Sequence, residues 1–271
     1  MNAFRTFEEA GWRHLAAAYD RMIGHITGRV AGPLLDAARV TTGTRMLDLA
    51  CGPGYAAAAA ARRGAVPVGV DLSPAMVALA RYRHPGLDFR EASAEALPFA
   101  SSRFDAVVGN FVLPHLSEPE VVVGECVRVL KPGGRLALSA WDRPERARFV
   151  GVLVEAIAEV GPPPPADLPD GPPFFRYADT GEIGTLLTGA GLADVTVTTM
   201  AFEHHLASAD ELWDGLLDGT VRTSALVAGQ SAETRDMIRA SFNRRLAPYT
   251  RPDGLVMPVS VVLARGTTPR S

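Results

Sequence analysis

The sequence lacks most of the features that assign a chain quickly. It has only two cysteines, Cys51 and Cys126, too few for a disulfide framework and without metal-ligand spacing, so a reduced, cytoplasmic protein is expected. The formal net charge is only −3, without the basic excess that electrostatic nucleic-acid binding requires. No apolar run is long enough to cross a bilayer, and no signal-peptide pattern opens "MNAFRTFEEAGWRHLAAAYDRM". No internal repeat recurs, and nothing specifies an oligomeric state. No metal site is expected either: His204 and His205 adjoin, but adjacency is not a ligand spacing. What is present is ordinary globular composition over 271 residues, 47% hydrophobic and 21% charged, enough for one large core and a smaller cap.

From about residue 44 to 141 strands alternate with helices. "TRMLDLA" reads as a strand, and the alanine-rich helix after it stops at Gly64, a natural C-cap. "VPVGVDL" is the next strand, and "SPAMVALARYR" opens with Ser73 as N-cap and Pro74 at the first helical position. "LDFREA", "FDAVVGNF" and "GGRLALSAW" supply three further strands, with the helix "EPEVVVGECVRVL" before the last. Near-continuous apolar strands of this kind belong to a parallel sheet covered on both faces, an α/β fold. Beyond Trp141 a helix over 145–160 precedes "GPPPPADLPDGPPFF", which cannot be regular structure and reads as a loop or lid. "DTGEIGTLLTGAG" and "SADELWDGLLDG" carry capping patterns. "SAETRDMIRASFNRRLAPY" is amphipathic, and "LADVTVTTMAFEHHL" and "GLVMPVSVVLARG" read as strands.

The stretch with most chemical content is "LDLACGPGYAAAAA" at 47–60. Gly52-x-Gly54-x-x-Ala57 formally fits the dinucleotide fingerprint, and Asp71 follows at the end of the second strand. Glycines that let backbone approach a ligand, and an acid for two ribose hydroxyls, serve both NAD and S-adenosylmethionine (SAM). Asp48 separates the two. A carboxylate just before the turn repels a pyrophosphate but favours the cationic amino and sulfonium groups of SAM. Cys51, with no adjacent base or cation, reads as a small packing residue.

Taken together, "LDLACGPGYAAAAAARRGAVPVGVDLSPAMVALAR", "AEALPFASSRFDAVVGNFVLPHL" and "ECVRVLKPGGRLALSAW" resemble the class I SAM-dependent methyltransferases over about 44–141. The resemblance lies close to the branch of quinone-biosynthesis C-methyltransferases and small-molecule methyltransferases. It implies a Rossmann-like, seven-stranded, mostly parallel sheet with helices on both faces and an antiparallel last strand. On that reading the chain is a single domain, 1–271, whose SAM-binding core is about 40–142 and 179–200, with the last strand about 255–265. A helical and loop cap covers it from about 1–35, 145–178 and 204–250. The resemblance places Asp48, Ala50, Gly52 and Gly54 around the methionine part of SAM, and Asp71 on the ribose. It sets Leu72 and Met76 beside the adenine, Ala94 and Glu95 at its edge, and Asn110 and Phe111 beside the sulfonium. Family members often carry Gly-Asp where this chain has Ala92-Ser93, and "LPHL" has proline where many relatives have a second histidine.

Methyl transfer requires an acceptor held in line and water excluded, and an O- or C-acceptor also calls for a base. The candidates are His115, Tyr19 and His205, with His204 and His14 behind them. Strand alternation sends His204 and His205 to opposite faces, so at most one points inward. Trp141, Phe174, Phe175, Tyr177 and Trp213 read as pocket wall and lid. An apolar cleft suits a small, fairly apolar molecule, as in secondary metabolism, better than a protein or nucleic acid. Some proteins resembling this family act instead as polyketide cyclases, with SAM bound but not consumed, and that reading stays open beside methyl transfer.

Overall fold

The computed structural model describes residues 3–270. Its strands are β1 (Arg45–Leu49), β2 (Val66–Asp71), β3 (Asp88–Glu91), β4 (Phe104–Gly109), β5 (Leu130–Trp141), β6 (Ala193–Leu206), β7 (Thr250–Arg251) and β8 (Gly254–Thr267). They form one sheet in the order β3-β2-β1-β4-β5-β8-β6, with β7 paired to β8. The strands from β1 to β5 pair in parallel, whereas β8 runs antiparallel to both β5 and β6. The Rossmann-like arrangement and the antiparallel terminal strand are as expected. The count differs by one: Thr250 and Arg251 turn back on Leu255 and Gly254, adding a short eighth strand. Two residues give too little periodicity to be read from a sequence.

The helices are α1 (Ala3–Arg21), α2 (Ile23–Gly28), α3 (Ala31–Ala37), α4 (Tyr55–Arg62), α5 (Pro74–Arg83), α6 (Pro119–Val129), α7 (Arg148–Val160), α8 (Thr180–Gly189), α9 (Ala209–Gly219), α10 (Arg222–Ala228) and α11 (Ala232–Leu246). Because side chains alternate along a strand, the sheet buries two separate layers. Met46, Val108, Ala137 and Val261 face one layer, which Leu34 of α3, Phe149 of α7, Leu212 of α9 and Phe242 of α11 complete. Leu47, Val107, Leu136 and Val262 face the other, under Val123 and Cys126 of α6 and Ile183 of α8.

The capping signals resolve into specific bonds. Ser73 Oγ accepts from Met76 N at 3.4 Å and Ser208 Oγ from Glu211 N at 3.1 Å. Asp179 accepts from Gly181 N at 2.7 Å, but Glu182 reaches Arg176 instead of closing the capping box. Segment 161–175 has no regular structure, as its prolines dictate. Helix α10 has no counterpart in the sequence reading, being a seven-residue turn of weak periodicity. Strand order reverses between β1 and β4, and at such a switch point the loops beyond the strand ends diverge and leave a crevice. Among the described residues, no helix is long and apolar enough to cross a membrane.

Candidate functional site

A cavity of about 340 Å³ opens at that switch point. One wall comes from the loops after β1, β2, β3 and β4: Ala50, Gly52, Asp71, Leu72, Met76, Ala94, Glu95, Asn110 and Phe111 all line it. Two of these strand ends bend through left-handed backbone at residues other than glycine, Ala50 at φ +50° and Phe111 at φ +56°. Such conformations cost of order 1–3 kcal/mol and persist where the surroundings enforce them. At Phe111 the enforcement is visible: its N–H donates to Ser139 Oγ at 2.9 Å, and its ring lies 4.4 Å from that of Trp141.

Asp71 is a half-buried acid of this wall. Its Oδ2 accepts from Gly52 N at 2.8 Å and its Oδ1 from Ser73 N at 2.9 Å. A carboxylate has about four lone-pair sites, so two remain for a ligand's hydroxyls. Burial raises its pKa above the usual range, against those two N–H bonds. Gly52 adopts φ +50°, and nothing lies within 4 Å of where its Cβ would stand. A side chain there would project into open cavity.

Asp48 and Gly54 do not line the cavity. Asp48 is 1% exposed, and its Oδ2 accepts from Ala57 N at 2.8 Å. Gly54 is the N-cap of α4 and has no side chain to cap with. Asp48 supplies the missing acceptor from the neighbouring strand, satisfying one of the helix's orphan N–H groups. Burial pushes its pKa up to about 8. Gly54 is glycine for packing: at φ +86°, an added Cβ would meet the Phe89 ring at 2.7 Å. Cys51 is buried, with its thiol pushed well above its usual pKa by burial, as a packing residue should be.

The opposite wall comes from α1 and the helices beyond β5. One face of α1 presents Arg5, Glu8, Trp12 and Tyr19 to the cavity. Glu8 is 5% exposed, and its Oε2 accepts from Trp12 Nε1 and meets His115 Nδ1, both at 2.9 Å. A carboxylate on Nδ1 fixes the proton there and leaves Nε2 as the basic nitrogen. Arg5 pairs with Glu95 and donates to Ser93 Oγ at 2.9 Å, so the helix is tied to the loop after β3. At its other end Asp20 accepts from Tyr55 Oη at 2.8 Å and pairs with Arg83. Apolar residues of α7, Val150, Val154 and Ile157, continue the wall with Phe174 and Leu226.

Of the proposed catalytic residues, His115 and Tyr19 line the cavity and His205 does not. Tyr19 Oη lies 2.9 Å from Thr27 Oγ1, whose own proton goes to Gly24 O, so the tyrosine is the donor. Burial pushes its pKa up to about 12, so it keeps its proton at neutral pH. His205 is exposed on β6, while His204 points inward only as far as the edge of Phe149, 5.8 Å between ring centres. His14 is exposed on the outer face of α1. Trp141 and Phe174 line the cavity, whereas Phe175, Tyr177 and Trp213 pack outside it. Sequence reasoning passed over Glu8, Arg5 and Trp12. Their signal was spacing: residues 5, 8 and 12 share a helix face, and the buried position among them is a glutamate.

With this geometry in view, residues 47–138 match the model of a methyltransferase domain. The chain is 36% identical over 129 residues to a demethylmenaquinone methyltransferase of Renibacterium salmoninarum, covering 48% of this chain and 54% of that protein. It is 30% identical over 176 residues to one of Paenarthrobacter aurescens, covering 62% and 70% respectively. Among solved structures, its fold is similar to that of Haemonchus contortus phosphoethanolamine N-methyltransferase 2 in complex with SAM, with a TM-score of 0.59 at 19% identity, over 98% of this chain and 60% of that one. The fold and its switch-point cavity are those of a Rossmann-like methyltransferase. The chain belongs to the class I SAM-dependent methyltransferases.

SAM is the cofactor of that family, and the residues present fit it. Asp71 keeps acceptor capacity for two ribose hydroxyls, and the space over Gly52 admits a ligand against the backbone. Leu72 and Met76 offer apolar surface for an adenine ring beside them.

Proposed function

We propose that the protein transfers the methyl group of SAM to a small, largely apolar molecule bound under the cap of about 1–35, 145–178 and 204–250. The observation that carries this is one cavity with two unlike walls, an acidic and glycine-backed one at the strand ends and, under the cap, one whose α7 part with Phe174 and Leu226 is apolar. SAM supplies a methyl carbon already activated by its sulfonium. The chain's part is to orient the acceptor, exclude water and handle the acceptor's proton.

His115 is assigned the proton. It lines the cavity, and Glu8 holds it in the tautomer that leaves Nε2 free to accept. Glu8 is a positioning residue: its carboxylate orients the ring and stabilises the positive charge that the ring acquires. Trp12 fixes that carboxylate in turn through Nε1, and its own ring stands edge-on to His115 at 5.2 Å. Tyr19 and Asn110 brace the wall. Asn110 donates to Thr27 O at 2.9 Å and accepts from Ser139 Oγ at 2.7 Å, joining α2 to β4 and β5. Asp48 belongs to the bracing of the glycine turn rather than to ligand contact. Both cysteines are free and buried, and the net charge is slightly negative, which supports a cytoplasmic enzyme of small-molecule metabolism without nucleic acid as substrate.

The test is stoichiometry. With candidate acceptors, S-adenosylhomocysteine (SAH) should form mole for mole with a product heavier by one methylene. Turnover with no SAM consumed and product mass unchanged would assign the cavity to cyclisation instead.

A further inference from the structure

Charged side chains around the cavity are almost all answered by neighbours. Arg5 is held by Glu95, Glu8 by His115, and Glu9 by Arg13. Arg222 is the exception. It lines the cavity beside Phe4 and the 171–172 loop, and no ion pair is formed by it among the described residues. Its hydrogen bond is a 3.3 Å contact from Nη1 to the carbonyl of Pro172, which leaves most of the guanidinium's donors free. The loop makes room for it: a Cβ added at Gly171 would meet Phe4 at 2.4 Å and Arg222 Nη1 at 3.1 Å. Phe174, Val154 and Leu226 line the same cavity. A cation beside apolar surface is costly unless an anion or water answers it.

We infer that the methyl acceptor is an apolar acid, and that Arg222 anchors its carboxylate while the rest of the molecule lies along α7. A guanidinium matches a carboxylate with two parallel N–H donors, fixing orientation as well as adding affinity. A single unanswered cation suits a monoanion; a phosphate monoester would bring nearly two charges. The anchor sits on α10, in the cap, and Asp71 at the end of β2, so anchor and ribose acid come from different parts of the fold. This inference rests on the assignment of the cavity to SAM and a small acceptor.

The experiment titrates the 271-residue, SAH-loaded chain by calorimetry with matched acid and alcohol probes: 2-naphthoate against 2-naphthalenemethanol, 4-phenylbutyrate against 4-phenylbutanol, and decanoate against decanol. At least one acid should bind about tenfold or more tightly than its alcohol. Arg222→Leu should abolish that preference, and Arg222→Lys should retain part of it. Both variants should keep SAH affinity within twofold, which also shows that they fold. Absence of acid preference in all three pairs, from equal or from missing binding, overturns the inference. So does a preference that survives in Arg222→Leu. A loss of SAH affinity in that variant would give Arg222 to the cofactor's own carboxylate and overturn it as well. Wild-type protein that fails to bind SAH at all removes the parent assignment instead, so the two failures are distinct.

Discussion

The strand-end wall and the cap wall of the cavity are built in opposite ways. The strand-end wall closes on itself locally: Asp71 is answered by Gly52 and Ser73, and Asp48 by Ala57 nine residues on. The cap wall is instead held to the strand-end wall over long separations: Glu8 meets a histidine 107 residues away, and Arg5 meets a glutamate 90 residues away. Local closure makes a rigid receptor that exists as soon as the sheet forms. Long-range closure makes a wall that is complete only when α1 lies in place, so its chemistry depends on the position of that helix.

Breaking the contact between the two walls at the proposed proton acceptor, His115 in the loop after β4, has the largest expected effect. His115→Ala should lower kcat by about 10²–10⁴-fold, the usual contribution of a general base, while SAH affinity changes little. Glu8→Gln should lower kcat less and move the acidic limb of the pH–rate profile, whereas a purely structural glutamate would shift Tm and leave the profile in place. Steady-state kinetics against pH separates the two.

The matching break in the strand-end wall is at Asp48. Asp48→Ala removes the acceptor for Ala57 N and should cost about 1–2 kcal/mol in urea unfolding. Asp48→Asn keeps an acceptor oxygen and should cost less. The native carboxyl, raised by burial to about 8, holds its proton where the unfolded chain has lost it. The ligand-free wild type should therefore lose stability relative to Asp48→Asn as pH rises from about 4 to 8, and no further above that. An unchanged difference across that range would contradict the assigned burial.

Smaller effects sharpen the same contrast. Arg5→Ala cuts a partly exposed tie, worth about 0.5–1 kcal/mol. Hydrogen exchange should quicken in α1 and stay unchanged in α4. Smallest of all, Cys51→Ala should leave SAH affinity unaltered, and the native thiol should resist iodoacetamide at pH 8 in the folded protein.

This contrast also explains what the sequence disclosed. The parallel core was legible because each strand is a short apolar run closed by turn residues, and Ser73, Gly64 and Gly191 punctuate it in the expected places. Gly52 and Asp71 were legible because a glycine turn and an acid at consecutive strand ends need only local geometry. Asp48 was misread for the same reason: its position before the turn was visible, but the direction of its side chain, away from the cavity, was not. Gly54 was taken for ligand access because nothing nearby in sequence announces Phe89. Glu8 and Arg5 were hidden because His115 and Glu95 lie on other elements, and a helix face shows only that a polar residue points inward, never what it meets. His205 was chosen over His204 without the register that sets their faces; β8 supplies that register, pairing them with Val256 and Met257.

The central claim is that SAM binds the strand-end wall through Asp71. Calorimetric titration of SAH into the wild type and Asp71→Ala tests it most directly. Loss of the charge-assisted hydrogen bonds to the ribose should weaken binding by about 1.5–3 kcal/mol in the variant, with its far-ultraviolet circular dichroism unchanged. Equal SAH affinity in the two proteins would contradict the account and place the ribose elsewhere.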